Sequence, residues 1–417
     1  MRIITDRPRS AVRRLALARL ISITGGAAAF AALNFTIYER THSAAWLSAS
    51  LLLTFGAAGL FAPLGGVLGD RFDRRRVMIV SDLAGAAAFG AMAFVEDPAL
   101  LLAIGFVTAV VETPFWSASQ AAIPNLVGKD DLAWANGLLQ VGANAGIMLG
   151  PAVGGVLLAT IGAGLVFGLN ALSFVLSALI VATVRGRFSE DRSEHDEDEH
   201  RGIKAGFVFI RHDRVLRVLV LAWTVFVLGM GMVMVADVPL VELFGAGATG
   251  YGLLIGAWGA GSVIGSLAGR KLNERNETRA LFAGTVLIGV TTAGVALSQW
   301  FVPVLVLILL SGIADAVVMV ADRSIQQRRT PDVVRSRVVS ASESMITIAL
   351  AVGFVLGGPA IELLGARGVY ALGGAFAFVG AAVLFPILRA SRQAQAHEPV
   401  VDEVAEMDEL VAAGVTR

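Results

Sequence analysis

The sequence predicts an all-α polytopic membrane protein with twelve transmembrane helices in two pseudo-symmetric six-helix bundles. Three observations carry this reading. The 417 residues are 56% hydrophobic and only 16% charged, against roughly 25% charged in a soluble domain. The chain divides into twelve apolar runs, each near the roughly 20 residues that a helix needs to cross a hydrocarbon core. Proline landmarks recur at about half the chain length: Pro124 and Pro331, then Pro151 and Pro359, are 207 and 208 residues apart, as expected of two bundles around a central cavity.

The N-terminal segment MRIITDRPRSAVRR is basic. The run that follows, Leu20 to Tyr38, is long enough to span, whereas a signal peptide would have a shorter apolar core and a small-residue cleavage site. The spans are read as 15–38, 46–68, 77–95, 99–123, 137–161, 165–184, 215–244, 250–269, 280–297, 302–321, 338–364 and 368–388. The first bundle is then 1–184 and the second 215–390. The seventh span is too long for one straight crossing, and Pro239 should end or kink it. Gln299-Trp300 separates spans nine and ten, with Trp suited to the membrane interface. The least marked boundary, between spans eleven and twelve, falls around Gly365-Ala366-Arg367-Gly368. Between the bundles, the charged linker 185–214 contains SEDRSEHDEDEH, an acidic run expected to be solvated. The tail 391–417 is polar and acidic, with a short surface helix expected near 401–413.

Charge placement sets the orientation. The N-terminal tail, the loops after even-numbered spans and the C-terminal tail hold 31 of the 33 Lys and Arg; only Arg40 and Arg367 lie on the other side. The positive-inside rule therefore puts both termini in the cytoplasm, with the chain multi-pass in the cell inner membrane. One missed helix would scramble this alternation. A net charge of zero gives no basic surface for nucleic acid. The absence of cysteine excludes disulfides and thiolate metal sites. Histidines 42, 195, 200, 212 and 397 lack metal-ligand spacing, so neither metal nor cofactor is expected. No Gly-x-x-x-x-Gly-Lys-[Ser/Thr] phosphate loop, no His-Glu-x-x-His and no serine–histidine pairing occurs. These absences argue against a primary pump and against an enzyme.

The motif with the most chemistry is Gly66-Val67-Leu68-Gly69-Asp70-Arg71-Phe72-Asp73-Arg74-Arg75-Arg76. Six charges in seven residues cannot sit in hydrocarbon, so this is a hairpin between spans two and three. Gly66 and Gly69 allow close helix approach. Asp70 can accept from the positive end of a facing helix. Arg71, Arg74 and Arg75 can pair with carboxylates or anionic headgroups. A second motif, Gly146-Ile-Met-Leu-Gly150-Pro151-Ala-Val-Gly154-Gly155, lies in span five. Gly146 and Gly150 make a small-xxx-small face, and Pro151 removes a backbone donor. The third constellation is carboxylate: Glu112 in mid span four, Asp315 in mid span ten and Asp237 in the outer part of span seven, with Asn34 and Tyr38 toward the outer end of span one. An intramembrane acid is costly, so function is its default reading. Asp82, Asp322 and Glu343, near arginine-rich span ends, read as ion pairs or latch elements.

The hairpin closely resembles the signature of the major facilitator superfamily of secondary transporters. It departs in having Asp73 where glycine is usual. The span-five pattern resembles the motif of that superfamily's drug:proton antiporters. Together with SASQAAIPNLV, DDLAWANGL and QQRRTPDVVRSRVVS, the chain is similar to the subgroup of macrolide efflux pumps and the enterobactin exporter. Ser336 replaces a usual glycine, and span four lacks the arginine that many drug exporters carry there. The resemblance implies alternating access, a hairpin that latches the bundles on the cytoplasmic side, and a cavity lined by spans 1, 4, 7 and 10. It implies proton-coupled efflux of a small amphipathic molecule such as a drug, a macrolide-like compound or a siderophore. The partners expected are that substrate, protons and the lipid bilayer, with the protein a monomer. A proton-coupled importer or facilitator is the transport alternative, and a non-transporting membrane sensor or partner-binding protein the alternative of another class.

Overall fold

The computed structural model describes residues 6–127, 131–184, 188 and 202–412. It is all-helical: α1 Asp6–Thr41, α2 Ala44–Arg71, α3 Arg74–Met92, α4 Pro98–Leu126, α5 Leu132–Ile161, α6 Ala163–Thr183, α7 Gly202–His212, α8 Arg214–Leu243, α9 Gly247–Gly269, α10 Glu277–Leu297, α11 Phe301–Arg329 and α12 Asp332–Ala412. Among the described residues, ten segments are long and apolar enough to cross a membrane. The α3 helix, carrying three arginines and Asp82 in 19 residues, is not one of them. The last segment, Arg337–Arg389, is 53 residues long, far more than one crossing requires.

Local chemistry explains the helix starts. Asp73 Oδ1 accepts from the Arg76 N–H at 3.0 Å, Asp97 Oδ1 from the Leu100 N–H at 3.0 Å, and Asp213 Oδ1 from Val215 and Leu216 at 2.8 and 2.9 Å. Each aspartate thus occupies an N-cap and satisfies orphan N–H groups; Pro98 then fills a first-turn position that needs no N–H. Asp73, the departure from the usual glycine, is therefore the cap that starts α3.

Three sequence expectations are adjusted. The linker is not irregular throughout, because 202–212 form α7, whose Ile210 is 5% exposed and joins the core of the second half; the acidic run 189–200 lies outside the described residues. The α8 helix neither ends at Pro239 nor needs to: it continues to Leu243, since proline near a helix end removes only one intrahelical bond. The expected boundary at 365–368 narrows to a single residue, Gly365, with φ 69°. A side chain in that left-handed region costs about 1 kcal/mol or more. Gly365→Ala is therefore expected to lower stability by about that amount, read as a lower unfolding midpoint in detergent with folding retained.

Packing groups the helices. The α1 helix lies on α5 and α6, α2 on α4, and α3 on α4 and α6; in the second half α8 lies on α12, α9 on α11, and α10 on α11 and α12. Two seams join the halves, α5 with α9 and α2 with α12. At the arginine-rich end that bears the α2–α3 turn, each half has its own apolar cluster, one around Leu15, Met78 and Phe115, the other around Leu216, Leu281 and Val318. At the opposite end a single cluster contains residues of both halves: Ala31, Phe35, Leu47 and Leu51 pack with Met232, Val235, Tyr251, Phe354 and Tyr370.

Candidate functional site

The span-five glycines make close helix approaches. A Cβ on Gly146 would meet Ile23 Cγ2 at 2.8 Å, one on Gly150 would meet Thr24 O and Ala27 Cβ at 2.6 Å, and one on Gly154 would meet Ala28 O at 2.6 Å. These glycines, one turn apart, let α5 lie directly on α1. Gly155 points elsewhere: its Cβ would meet Ala248 O at 2.6 Å and Gly252 Cα at 2.9 Å on α9. Pro151 belongs to the same contact, since a Cβ on Gly252 would lie 2.5 Å from Pro151 O. The motif therefore serves two surfaces, one inside its own half and one across the seam. The second half repeats the plan. Gly353 and Gly357 face Leu228, Gly231, Met232 and Val235 of α8, while Gly358 faces Ala45 and Ser48 of α2 across the other seam.

At the hairpin, Arg74 Nη1 donates to Ala121 O at 2.7 Å and to Phe188 O at 3.4 Å, and Arg75 Nη2 donates to Ala182 O. Both arginines thus tie the start of α3 to main-chain carbonyls of the first half. Ala182 lies in the last turn of α6, where carbonyls lack intrahelical donors and a cation is favoured. Arg71 closes α2 and is exposed. The Gly66 and Asp70 positions lie in α2, but their side-chain surroundings are outside the described residues.

The candidate polar residues do not form one cluster. Glu112 on α4 and Asp315 on α11 are each half-buried, in opposite halves. Asp237 on α8 accepts from the Tyr370 hydroxyl at 2.5 Å. Tyr370 is 0% exposed, Tyr251 packs in the same cluster, and Asp237 is thereby tied into the end where the halves share a core. Asn34 is buried; its Nδ2 donates to Phe30 O at 2.9 Å and its Oδ1 has no partner. Tyr38 is half-buried and meets the His42 ring edge to face at 6.2 Å.

Several polar contacts were not anticipated. Arg19, inside the apolar run of α1, is 5% exposed, and its guanidinium lies 4.6 Å from the centre of the Trp116 ring on α4. The missing span-four arginine thus has a cation facing it from α1, held by the indole. Asp82 is not an ion pair: it is 1% exposed and neither carboxyl oxygen has a hydrogen-bond partner. Asp322 accepts from Gln326 Nε2 at 2.7 Å rather than from an arginine. Glu343 is exposed on α12 and forms no ion pair among the described residues. A charge five residues into a span was a readable signal for Arg19; the partners of the others lie on distant helices.

Comparison with known proteins fits this arrangement. The family described as transmembrane secretion effector matches residues 11–411. The chain is 26% identical to the multidrug efflux pump Tap of Mycolicibacterium fortuitum over 388 residues, covering 88% of this chain and 93% of Tap. It is 25% identical to macrolide efflux protein A of Streptococcus pyogenes (87% and 92% covered) and 27% identical to the enterobactin exporter EntS of Escherichia coli (79% and 80% covered). In fold it is similar to the nucleoside transporter NupG, with a TM-score of 0.75 at 11% identity over 91% of this chain and 99% of that one. It is also similar to a bacterial homologue of the iron transporter ferroportin, with a TM-score of 0.69 at 19% identity over 90% and 98%. A helical, multi-span membrane chain matched over nearly its whole length in this way is a transporter and not an enzyme, and it belongs to the transmembrane secretion effector family of the major facilitator superfamily.

Proposed function

We propose that this protein is a proton-coupled exporter of a small amphipathic molecule, working by alternating access between two six-helix bundles. In this reading α3 supplies a short span, and α12 supplies two on either side of Gly365, so the spans number twelve. The observation that carries the reading is the distribution of apolar clusters. Among the described residues the only cluster with members from both halves lies at the arginine-poor end, while at the arginine-rich end each half is packed on itself. Two bodies joined mainly at one end, along two glycine-lined seams, can exchange that closure for closure at the other. With the arginine-rich end in the cytoplasm, the state described faces inward.

Efflux is favoured over import by the relatives, whose names are those of a multidrug pump, a macrolide efflux protein and a siderophore exporter. Half-buried Glu112 and Asp315, one per half and neither in an ion pair among the described residues, are the groups proposed to carry the coupled proton. Acids within a span are functional by default. Three carboxyls, with Asp237, favour cationic or neutral amphipathic cargo over an anion. Deletion and overexpression screened against antibiotics and secreted metabolites would narrow the cargo. The topology has its own test. An alkaline phosphatase fused to the C-terminus, active only outside the cytoplasm, is expected to give no signal, while a fusion in the α1–α2 turn at His42 should be active. An active C-terminal fusion would reverse the orientation.

A further inference from the structure

Asp82 is the most anomalous polar group of the first half. It sits on α3 between α4 and α6, 1% exposed, with both carboxyl oxygens lacking a hydrogen-bond partner. From α6 the hydroxyl of Ser177, 0% exposed, faces it without completing a hydrogen bond. From α4 comes another acid, Glu112: the antiparallel register set by Arg74 Nη1 on Ala121 O brings it level with Asp82 along the α3–α4 contact. The remaining neighbours bring no relief: α5 and α6 carry no charged residue, and α2 is charged only at Asp70 and Arg71 in its last turn. The buried cation of α1, Arg19, is held on Trp116, one turn from Glu112 along α4, and forms no ion pair with Glu112. Two carboxyls at one level of the α3–α4 contact, neither in an ion pair among the described residues, cannot both carry charge without a large desolvation and repulsion cost. An unpartnered buried polar group calls for an explanation in function or in something that binds it.

We propose that Asp82 and Glu112 form one proton-holding unit, with Asp82 the inner member that keeps the proton while Glu112 meets the cargo. This rests on the proton-coupled reading above and gives that reading a second carboxyl. Exposure separates the roles. Glu112 is half-buried, whereas Asp82, between α4 and α6, is 1% exposed. The step is a proton transfer inside the pair: the Glu112 O–H bond breaks, the Asp82 O–H bond forms, and the pair keeps a single negative charge throughout. Glu112 then carries that charge where a cationic or polar cargo can use it. Return of the proton to Glu112 removes the attraction and opens a route to solvent. The Ser177 hydroxyl, able both to donate and to accept, lies where it can stabilise Asp82 in either form.

The test is an infrared pH titration of the full-length protein in liposomes, following the carbonyl stretch of protonated carboxyl groups. Asp82→Asn and Glu112→Gln assign the two bands by their loss. If the pair is one unit, removing either member shifts the titration of the other, and the two shifts are equal, because coupling between sites is reciprocal; a shift of at least half a pH unit is expected. Ser177→Ala keeps both carboxyls and should move the Asp82 band and, through it, that of Glu112, so the test survives if Asp82→Asn fails to fold. Independent titration of the two groups in all three variants would overturn the proposal. A reciprocal shift in a protein whose efflux ignores a pH gradient would leave the pair standing and remove the proton-coupled function instead.

Discussion

Glu112→Gln is expected to abolish uphill, pH-driven efflux while leaving downhill flux of a cationic probe within a few-fold of normal. The substitution keeps the size and polarity of a half-buried side chain that makes no ion pair among the described residues, so the α3–α4 packing should persist. What it removes is the exchangeable proton. An acid that takes part in coupling only by binding and releasing a proton leaves a carrier that still cycles but no longer links the two flows. Asp315→Asn on α11 should act in the same direction from the other half. Counterflow and pH-gradient-driven uptake in inside-out vesicles, measured on the same preparation, separate the two activities. If both neutral variants, alone and together, keep uphill transport with an unchanged pH profile, coupling lies elsewhere, and Asp237 with its Tyr370 partner becomes the next candidate.

The second large effect is steric. Gly155→Leu should reduce transport more than tenfold while the protein inserts and purifies normally. Its Cβ alone would lie 2.6 Å from Ala248 O and 2.9 Å from Gly252 Cα, well inside contact distance, so α5 and α9 must separate along the seam between the halves. Overpacking costs about 1–3 kcal/mol. At this position the cost falls on one closure rather than on the core of either half, so it shifts the equilibrium between inward and outward states. A shift of about 1.4 kcal/mol already changes their ratio tenfold. Gly150→Leu is the informative contrast. Its neighbours are Thr24 and Ala27 of α1, within the same half, so that variant should lose thermal stability first. The chain has no cysteine, so a single Leu47→Cys, at a buried position of the shared cluster, can report the closure directly. Gly155→Leu should raise its labelling by a membrane-impermeant maleimide from outside, and Gly150→Leu in surviving protein should not.

The contrast between these glycines shows what sequence could and could not reveal. The spacing Gly146, Gly150, Gly154 marks a small-residue face, and the half-length repeat marks Gly357 and Gly358 as its counterpart. Which surface each glycine meets was not in the spacing, because Gly154 and Gly155 are neighbours in sequence yet face α1 and α9. Helix positions were legible because hydropathy and capping are local: Asp97-Pro98 and Asp213 announce the starts of α4 and α8. The polar partners were not. Asp237 and Tyr370 are 133 residues apart, and nothing in the pattern around either one points to the other. Arginines close in sequence suggest an ion pair for Asp82; the fold instead buries it to 1% exposure, while Arg74 and Arg75 donate to carbonyls of α4, α6 and Phe188. The α7 helix escaped notice because it is short and adjoins a long charged run. The two halves also solve one problem differently: α1 presents Arg19 to Trp116 of α4, whereas α8 presents Trp223 to Asp322 of α11. Two related folds with unlike charges at corresponding places can hold a proton in one half while the other responds to cargo.

The most direct measurement is flux in proteoliposomes of purified protein with an imposed pH gradient, using a radiolabelled macrolide and, separately, a lipophilic cation as probes. With protein oriented so that its arginine-rich end faces the bath, an acidic lumen should drive accumulation of at least one probe above its external concentration. Collapsing the gradient with a protonophore should release it, and reversing the gradient should reverse the net flow. Accumulation that ignores the gradient, or probe and protons moving in the same direction, would contradict proton-coupled export.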